Sequence, residues 1–154
     1  MRQDAEYWMK FALELAKQAG KKDEVPVGAI LVDPEGNILS QGQNIKESLT
    51  TPIGHAEIQA LHKAAKAKKA WRLTGSTLYV TLEPCLMCAG ALIQARVQKV
   101  VFGAYDPKGG ALSSLYTVGQ DPRLNHQFEV LGGILEDECS QLLKDFFKRK
   151  REKR

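Results

Sequence analysis

Apolar and polar residues along the first third of the chain predict a helix followed by a β-hairpin. Residues 4–19 place apolar side chains at helical spacing, and Gly20 is predicted to end that helix. Residues 27–32 form an uninterrupted apolar run, which is typical of a strand buried on both faces. Residues 34–37 have a turn-forming composition, so residues 38–43 are predicted to return as the second strand of the hairpin.

The remaining two thirds of the chain alternate between helical and strand patterns. Strands that alternate with helices of crossover length predict an α/β protein whose sheet is covered on both faces. The predicted elements are a helix at 55–69, a strand at 77–82, a helix at 86–95, a strand at 99–103, a weaker strand at 128–131 and a helix at 136–150.

The length of the chain, 154 residues, predicts a single domain at 1–154 with little room for a second core. No apolar run approaches the roughly 18 residues needed to span a bilayer. The first residues also lack the apolar stretch of a signal peptide. We therefore expect a cytoplasmic protein without a membrane partner.

Positive charge is concentrated at the C-terminus. The net charge is only +4, but residues 148–154 contain a single acidic residue, Glu152. Such a run is commonly a solvated helix end, where the helix dipole favours cations. The same composition also contacts nucleic-acid phosphates. Charge alone favours the first interpretation.

The three cysteines argue against a disulfide framework, because their number is odd and only two of them lie close together. Cys85 and Cys88 follow Pro84 at the start of a predicted helix, where they share one face and can bind one metal ion. Cys139 lies in an amphipathic stretch and is interpreted as a core or surface thiol without a role.

A second ligand motif, His55-Ala56-Glu57, opens another predicted helix. One imidazole and two thiolates make a three-ligand zinc site, whereas structural zinc sites usually have four protein ligands. Neither His62 nor His126 has a neighbouring ligand motif that would supply a fourth. The pattern therefore predicts a catalytic site, in which the open position holds a water molecule with a pKa of about 7.

Glu57 is the candidate for the proton transfers that a deamination requires. One carboxylate beside the metal can act first as general base and then as general acid. Residues at positions i and i+2 do not share a helix face. His55 and Glu57 can therefore serve one cavity only if their helix points its first turn end-on at the metal.

The two motifs together are more specific than either alone. Cys-x-x-Cys is shared with redox sites and half-built zinc ribbons. A redox site would not require His55 and Glu57, and a ribbon would require a second Cys pair that the sequence lacks. His-x-Glu followed by Pro-Cys-x-x-Cys one strand later is the signature of zinc nucleobase deaminases.

The chain as a whole resembles the bacterial tRNA-specific adenosine deaminases of the cytidine deaminase superfamily. The most telling matches are EVPVGA at 24–29, GHAEI at 54–58 and TLYVTLEPC at 77–85. The resemblance implies a three-layer α/β/α cytidine-deaminase-like fold around a central mixed sheet of about five strands. It also implies a homodimer with one Zn²⁺ per subunit.

The same resemblance implies hydrolysis of adenosine to inosine at the wobble position of a tRNA anticodon, typically in an arginine tRNA. Zinc-bound hydroxide would attack carbon 6 of the flipped adenine while Glu57 transfers protons. The substrate would be the anticodon stem-loop, whose single-stranded bases can be splayed out.

The resemblance further assigns the contacts with the substrate. Asn44 would hydrogen-bond the flipped base, and the backbone N–H of Ala56 would assist at the purine. Val27 and Leu82 would flank the base, and Asp106 would lie near the ribose 2′-hydroxyl of a neighbouring nucleotide. By composition alone, Asn44 would be read as a turn-capping amide and Asp106 as the start of a turn.

The resemblance also favours nucleic-acid binding as the role of the basic residues. Lys108, Arg149 and Lys150 are candidates to contact the RNA backbone.

One departure from the family lies just before the metal histidine, where residues 51–54 read TPIG instead of a DPTA-type stretch. This segment is expected at the entrance of the site.

Two alternative functions are left open by the sequence. The first is a free guanine, cytosine or nucleoside deaminase on the same scaffold, which would need no RNA surface. The second is a zinc-stabilised RNA-binding module without catalysis, in which Glu57 would be dispensable.

Overall fold

The computed structural model describes residues 2–153, and none of the helices in this range is long and apolar enough to cross a membrane. In chain order the elements are α1 (Arg2–Lys21), β1 (Gly28–Val32), β2 (Ile38–Gln43), α2 (Ala56–Lys68), β3 (Thr77–Leu82), α3 (Leu86–Gln94), β4 (Lys99–Ala104), a 3-10 turn (Val118–Gln120), β5 (Glu129–Leu131) and α4 (Glu136–Glu152).

The five strands form one mixed sheet in the order β2-β1-β3-β4-β5. β1 pairs antiparallel with both β2 and β3, whereas β4 pairs parallel with β3 and β5. β1 is buried along its whole length, as its apolar run predicts. The hairpin and the helix-covered mixed sheet are thus confirmed.

The helices form the two outer layers of the structure. α1 and α4 cover one face, where Met9 and Cys139 share a buried cluster with Val101 of β4. α2 and α3 cover the other face, where Ala60 and Leu92 belong to the larger core. The predicted three-layer α/β/α architecture is confirmed, and Cys139 is a core thiol.

Several helix ends differ from the sequence prediction by one or two residues. α1 continues through Gly20, because the left-handed turn expected of that glycine is made by Asp23, with φ 66°. α2 begins at Ala56, and His55 precedes it in an extended conformation as the N-cap residue. α4 extends two residues beyond the predicted end, to Glu152, and Arg154 lies outside the described residues.

Two glycines allow a helix to lie directly against the hairpin. A Cβ atom on Gly28 would lie 2.1 Å from the backbone oxygen of Ala12 in α1. A Cβ atom on Gly42 would lie 2.3 Å from the backbone oxygen of Ala56, the first residue of α2. The position of the first turn of α2 therefore depends on the missing side chain at Gly42.

Replacing Gly28 with alanine should destabilise the protein by about 2–3 kcal/mol, because the obstructing atoms are backbone and overpacking of this kind is costly. Gly20→Ala is the matched control. Its Cβ would meet Pro26 at an ordinary 3.5 Å, and the loss of a helical glycine should stabilise by about 0.5–1 kcal/mol. Urea unfolding measures both changes, and equal midpoints for the two variants would contradict this packing.

Candidate active site

One end of the sheet gathers the residues of the candidate site. Because β1 runs antiparallel to both neighbours, its start lies beside the ends of β2 and β3. Val27, Asn44 and Leu82 are therefore brought together, and the backbone N–H of Asn44 donates to the carbonyl of Val27. α2 and α3 both begin at this end, with His55 and Cys85 as their N-cap residues.

Three potential metal ligands converge between the two helix starts. His55 Nδ1 lies 3.6 Å from the sulfur of Cys85 and 3.4 Å from that of Cys88. The three donor atoms lie within 4.8 Å of one another. Tetrahedral zinc with ordinary Zn–N and Zn–S bonds separates nitrogen from sulfur by about 3.6 Å. The donor set and its spacing therefore fit a zinc ion, and these three residues could hold a metal.

Hydrogen bonding within the cluster shifts the pKa values of the two cysteine thiols in opposite directions. The contact with Cys88 lowers the pKa of Cys85 to about 3, although burial opposes this shift. The same contact, together with burial, raises the pKa of Cys88. The hydrogen bond with Cys85 also raises the pKa of His55. One thiolate is thus ready as a ligand, and metal binding must displace the remaining protons.

Glu57 lies in the first turn of α2 and is only 4% exposed. Burial raises the pKa of its carboxyl group to about 7. Glu57, His55 and Cys85 line one cavity of about 160 Å³. Because His55 precedes the helix in an extended conformation, the i, i+2 spacing does not separate the two side chains. A carboxyl group with a pKa near neutrality therefore lies beside the ligand cluster.

Both ends of the side-chain amide of Asn44 form hydrogen bonds with the backbone. Its Oδ1 accepts a hydrogen bond of 2.9 Å from the backbone N–H of Ala56, and its Nδ2 donates one of 3.1 Å to the carbonyl of Val25. These two partners define the orientation of the amide. The N–H of Ala56 is thus used by Asn44 Oδ1. One hydrogen on Nδ2 goes to Val25, and the second can be donated to another acceptor.

Comparisons with known proteins agree with this geometry. The sequence profile of the MafB19-like deaminase family matches residues 3–151. The tRNA-specific adenosine deaminase of Bacillus subtilis (strain 168) is 51% identical over 154 residues, covering 100% of this chain and 94% of that protein. The chain belongs to the tRNA-specific adenosine deaminases, within the MafB19-like deaminase family.

Solved structures support the same assignment for this deaminase. A structure from a study of A-to-I editing by tRNA:A34 deaminases at the wobble position of transfer RNA has a TM-score of 0.85. It is 41% identical and covers 89% of this chain and 99% of that one. A guanine deaminase from Nitrosomonas europaea has a TM-score of 0.77 at 25% identity, over 92% of this chain and 83% of that one.

The residues that the sequence singled out fall into two groups in this deaminase. The cavity is lined by Glu57, His55 and Cys85 together with the predicted substrate contacts Val27, Asn44, Leu82 and Asp106. Lys108 lies outside it, in an adjoining groove of about 580 Å³ that shares Leu82 and Asp106 with the cavity.

The cations of α4 are divided between different surfaces. The groove that contains Lys108 is also lined by Lys144 and by Arg151 of the basic run 148–154.

Arg149 and Lys150 line a smaller pocket at the end of α1, where Lys150 forms an ion pair with Asp23. Lys150 also lines a groove of about 640 Å³ that shares Asn44 and Lys46 with the cavity. The basic run therefore contributes to grooves next to the cavity, and Lys46, which the sequence did not single out, lines the cavity itself.

Sequence reasoning missed two buried carboxylates beside the cavity. Glu83 is 2% exposed and Glu24 is 1% exposed. Burial opposes their ionisation, but hydrogen bonds, beginning with those from Ser114 to Glu83 and from Ser48 to Glu24, hold the pKa of both below the usual value. The available signal was a glutamate directly after an apolar strand, at Glu83, and another three residues before the apolar run 27–32, at Glu24.

Replacing Glu57 with glutamine should stabilise the metal-free protein at pH 8. Burial raises the folded-state pKa to about 7, above the ordinary 4.5. The stability contributed by the protonated carboxyl is therefore lost as the pH rises through 7. Glutamine cannot ionise, so its advantage should reach about 3 kcal/mol at pH 8 and fall towards zero near pH 5.

Urea unfolding in the presence of a chelator, at both pH values, measures this difference. A gain that is the same at pH 5 and pH 8 would contradict the raised pKa and indicate an unrelated packing effect.

Proposed function

We propose that this deaminase hydrolyses adenosine to inosine at the wobble position of a tRNA anticodon. The observation that carries the proposal is the convergence of Glu57 with His55, Cys85 and Cys88 at one small cavity, in a chain of this family. A buried acid–base group beside a three-ligand metal site is the arrangement that hydrolytic deamination of a nucleobase requires.

Zinc is the metal that we propose for the three ligands. Two sulfurs and one imidazole nitrogen are donors that zinc accepts readily, and their spacing fits tetrahedral geometry. When bound in a three-ligand site, zinc supplies Lewis-acid activation of water at neutral pH. We propose one such ion per subunit of a homodimer.

Glu57 performs the proton transfers in this proposal. Its carboxylate takes a proton from water as the new C–O bond forms at carbon 6, and it delivers that proton to N1 of the adenine ring. It then moves the remaining hydroxyl proton to the amino group, the C–N bond breaks, and ammonia leaves. A carboxyl group whose pKa is about 7 can both accept and release a proton at neutral pH.

The cavity walls supply the contacts with the base. Val27 and Leu82 flank the adenine, and Nδ2 of Asn44 donates to an acceptor atom of the ring. The N–H of Ala56 contributes by holding Oδ1 of Asn44, which turns Nδ2 towards its acceptors. Asp106, at the rim shared with the groove, lies near the ribose of a neighbouring nucleotide.

An RNA strand that continues from the cavity meets positive charge. Lys108 and Arg151 line the adjoining groove, where the exposed ring of Phe147 also lies. Aromatic rings stack on unpaired bases, and cations contact phosphates. Lys150 would contact the backbone in the groove that Asn44 and Lys46 share with the cavity, and Arg149 would contact it farther away. We propose a cytoplasmic enzyme whose substrates include arginine tRNA.

Deamination of free guanine is the competing function, because a guanine deaminase shares the fold at a TM-score of 0.77. A free base would fill only the small cavity and would gain nothing from a neighbouring basic groove. The groove lined by Lys108, Lys144 and Arg151 therefore favours a polynucleotide substrate.

Glu57→Gln should lower the rate of inosine formation in an anticodon stem-loop by at least about 100-fold, because it removes the general acid and base. Metal content and stem-loop affinity should stay at the wild-type level. Glu35→Gln, in the exposed turn at the other end of the hairpin, is the matched control and should be fully active.

A Glu57→Gln variant with wild-type activity would exclude the proposed proton carrier. A wild-type chain that binds the stem-loop without forming inosine would indicate the non-catalytic RNA-binding module instead.

The double variant Lys108→Gln and Arg151→Gln should raise KM for the stem-loop and leave kcat unchanged. The slope of log KM against log salt should become shallower by about 1 for each lost phosphate contact. Lys66→Gln with Lys68→Gln is the control, since it removes the same charge from the far end of α2. Equal salt dependence in both double variants would show that the groove does not contact the RNA.

A further inference from the structure

Glu83 has hydrogen-bond partners that the proposed chemistry does not use. It lies between β3 and Cys85, and its carboxylate is buried. Oε2 accepts the backbone N–H groups of Leu112, Ser113 and Ser114, at 3.2, 2.7 and 2.9 Å. Oε1 accepts the backbone N–H of Asp106 at 3.0 Å and the hydroxyl of Ser114. A single carboxylate thus binds both ends of the segment 106–114.

The segment that Glu83 binds forms part of the cavity wall. It contains Asp106, which lines the cavity, and Lys108, which lines the groove. It includes no helix or strand, and its few backbone hydrogen bonds include those from the N–H of Gly110 to Asp106 and from the N–H of Ala111 to Pro84. The five hydrogen bonds to Glu83 are therefore a large share of what fixes its position. Gly110 packs so closely on the carboxylate that a Cβ atom there would lie 2.3 Å from it.

Glu24 makes a similar set of contacts with a second loop that lines the cavity. Its Oε1 accepts the backbone N–H of Glu47 at 3.0 Å, and its Oε2 accepts the N–H of Ser48 at 2.6 Å together with the Ser48 hydroxyl. This loop contains Lys46, which lines the cavity, and it leads to His55.

We propose that Glu83 and Glu24 are positioning residues for the substrate. Each holds one irregular loop by its backbone N–H groups, and so sets where Asp106 or Lys46 meets the bound nucleotide. Because both loops line the cavity, the two carboxylates together set the positions of its wall residues. The inference rests on the proposed function, since its effect is exerted on the tRNA substrate.

Glu83→Gln should selectively remove the hydrogen-bond acceptor of the backbone N–H of Asp106. The amide of glutamine keeps one acceptor oxygen, and that oxygen is held by the three backbone donors at Leu112, Ser113 and Ser114. The NH₂ group then takes the place of Oε1 and faces the N–H of Asp106, which is donor against donor. The Ser114 hydroxyl can turn round and accept, so only Asp106 loses its partner. Glu24→Gln should likewise release Glu47.

The test combines kinetics, binding and amide hydrogen exchange. Glu83→Gln should raise both Kd and KM for an anticodon stem-loop roughly tenfold, which corresponds to one lost hydrogen bond to a charged group. Its kcat and zinc content should stay within about twofold of wild type, a range too small for the loss of a catalytic group. Exchange at the amide of Asp106 should accelerate, whereas exchange in α2 should not change.

Two further variants separate positioning from a general loss of structure. Gly110→Ala should reproduce the rise in KM, because its Cβ atom displaces the carboxylate without altering Glu83 itself. Glu35→Gln, on the distant turn, should match the wild type in every measurement.

The proposal is overturned if Glu83→Gln and Glu24→Gln lower kcat in proportion to lost zinc or lost folded protein while KM stays constant. It is also overturned if exchange at Asp106 is unchanged in Glu83→Gln. If the wild-type chain forms no inosine, the proposed function fails, and the Kd for the stem-loop still decides whether the two carboxylates position it.

Discussion

Three donor atoms from the starts of two helices must meet within a few ångströms, and much of the architecture serves this requirement. His55 precedes α2 and Cys85 precedes α3, so both helices must begin at the same end of the sheet. The antiparallel placement of β1 beside β3 brings the start of β1 to that end. The missing side chain at Gly42 lets the first turn of α2 lie directly on β2. The ligand cluster is thus a consequence of strand direction and close packing.

The pKa values of the buried glutamates at this end of the sheet shift in opposite directions, although the residues are of the same type. Burial dominates at Glu57 and raises its pKa to about 7. At Glu24 and Glu83, hydrogen bonds from hydroxyl and backbone donors outweigh burial, and the pKa falls. The number of donors therefore decides the direction of each pKa shift. In the proposed mechanism, Glu57 changes its charge and the other two carboxylates keep theirs.

The parts of the structure that follow from local pattern were predictable from the sequence. The apolar run before the hairpin indicated β1, and the spacing of His55, Cys85 and Cys88 indicated the ligand cluster. Contacts between distant residues have no such pattern. Glu83 binds amides 23 to 31 residues away, and Lys150 pairs with a residue 127 positions away. The predicted end of α1 at Gly20 was also wrong, because Asp23, which follows the helix, makes the left-handed turn.

The central claim is that the cavity beside the ligand cluster deaminates adenosine within a tRNA loop by adding water. Its most direct test is mass spectrometry of products formed in ¹⁸O-labelled water, with zinc-loaded protein offered an anticodon stem-loop, free adenosine and free guanine together. The account predicts inosine at the wobble position with ¹⁸O on carbon 6, and unchanged guanine. Conversion of guanine to xanthine while the stem-loop stays intact would contradict the substrate, and inosine without the label would contradict the hydrolytic chemistry.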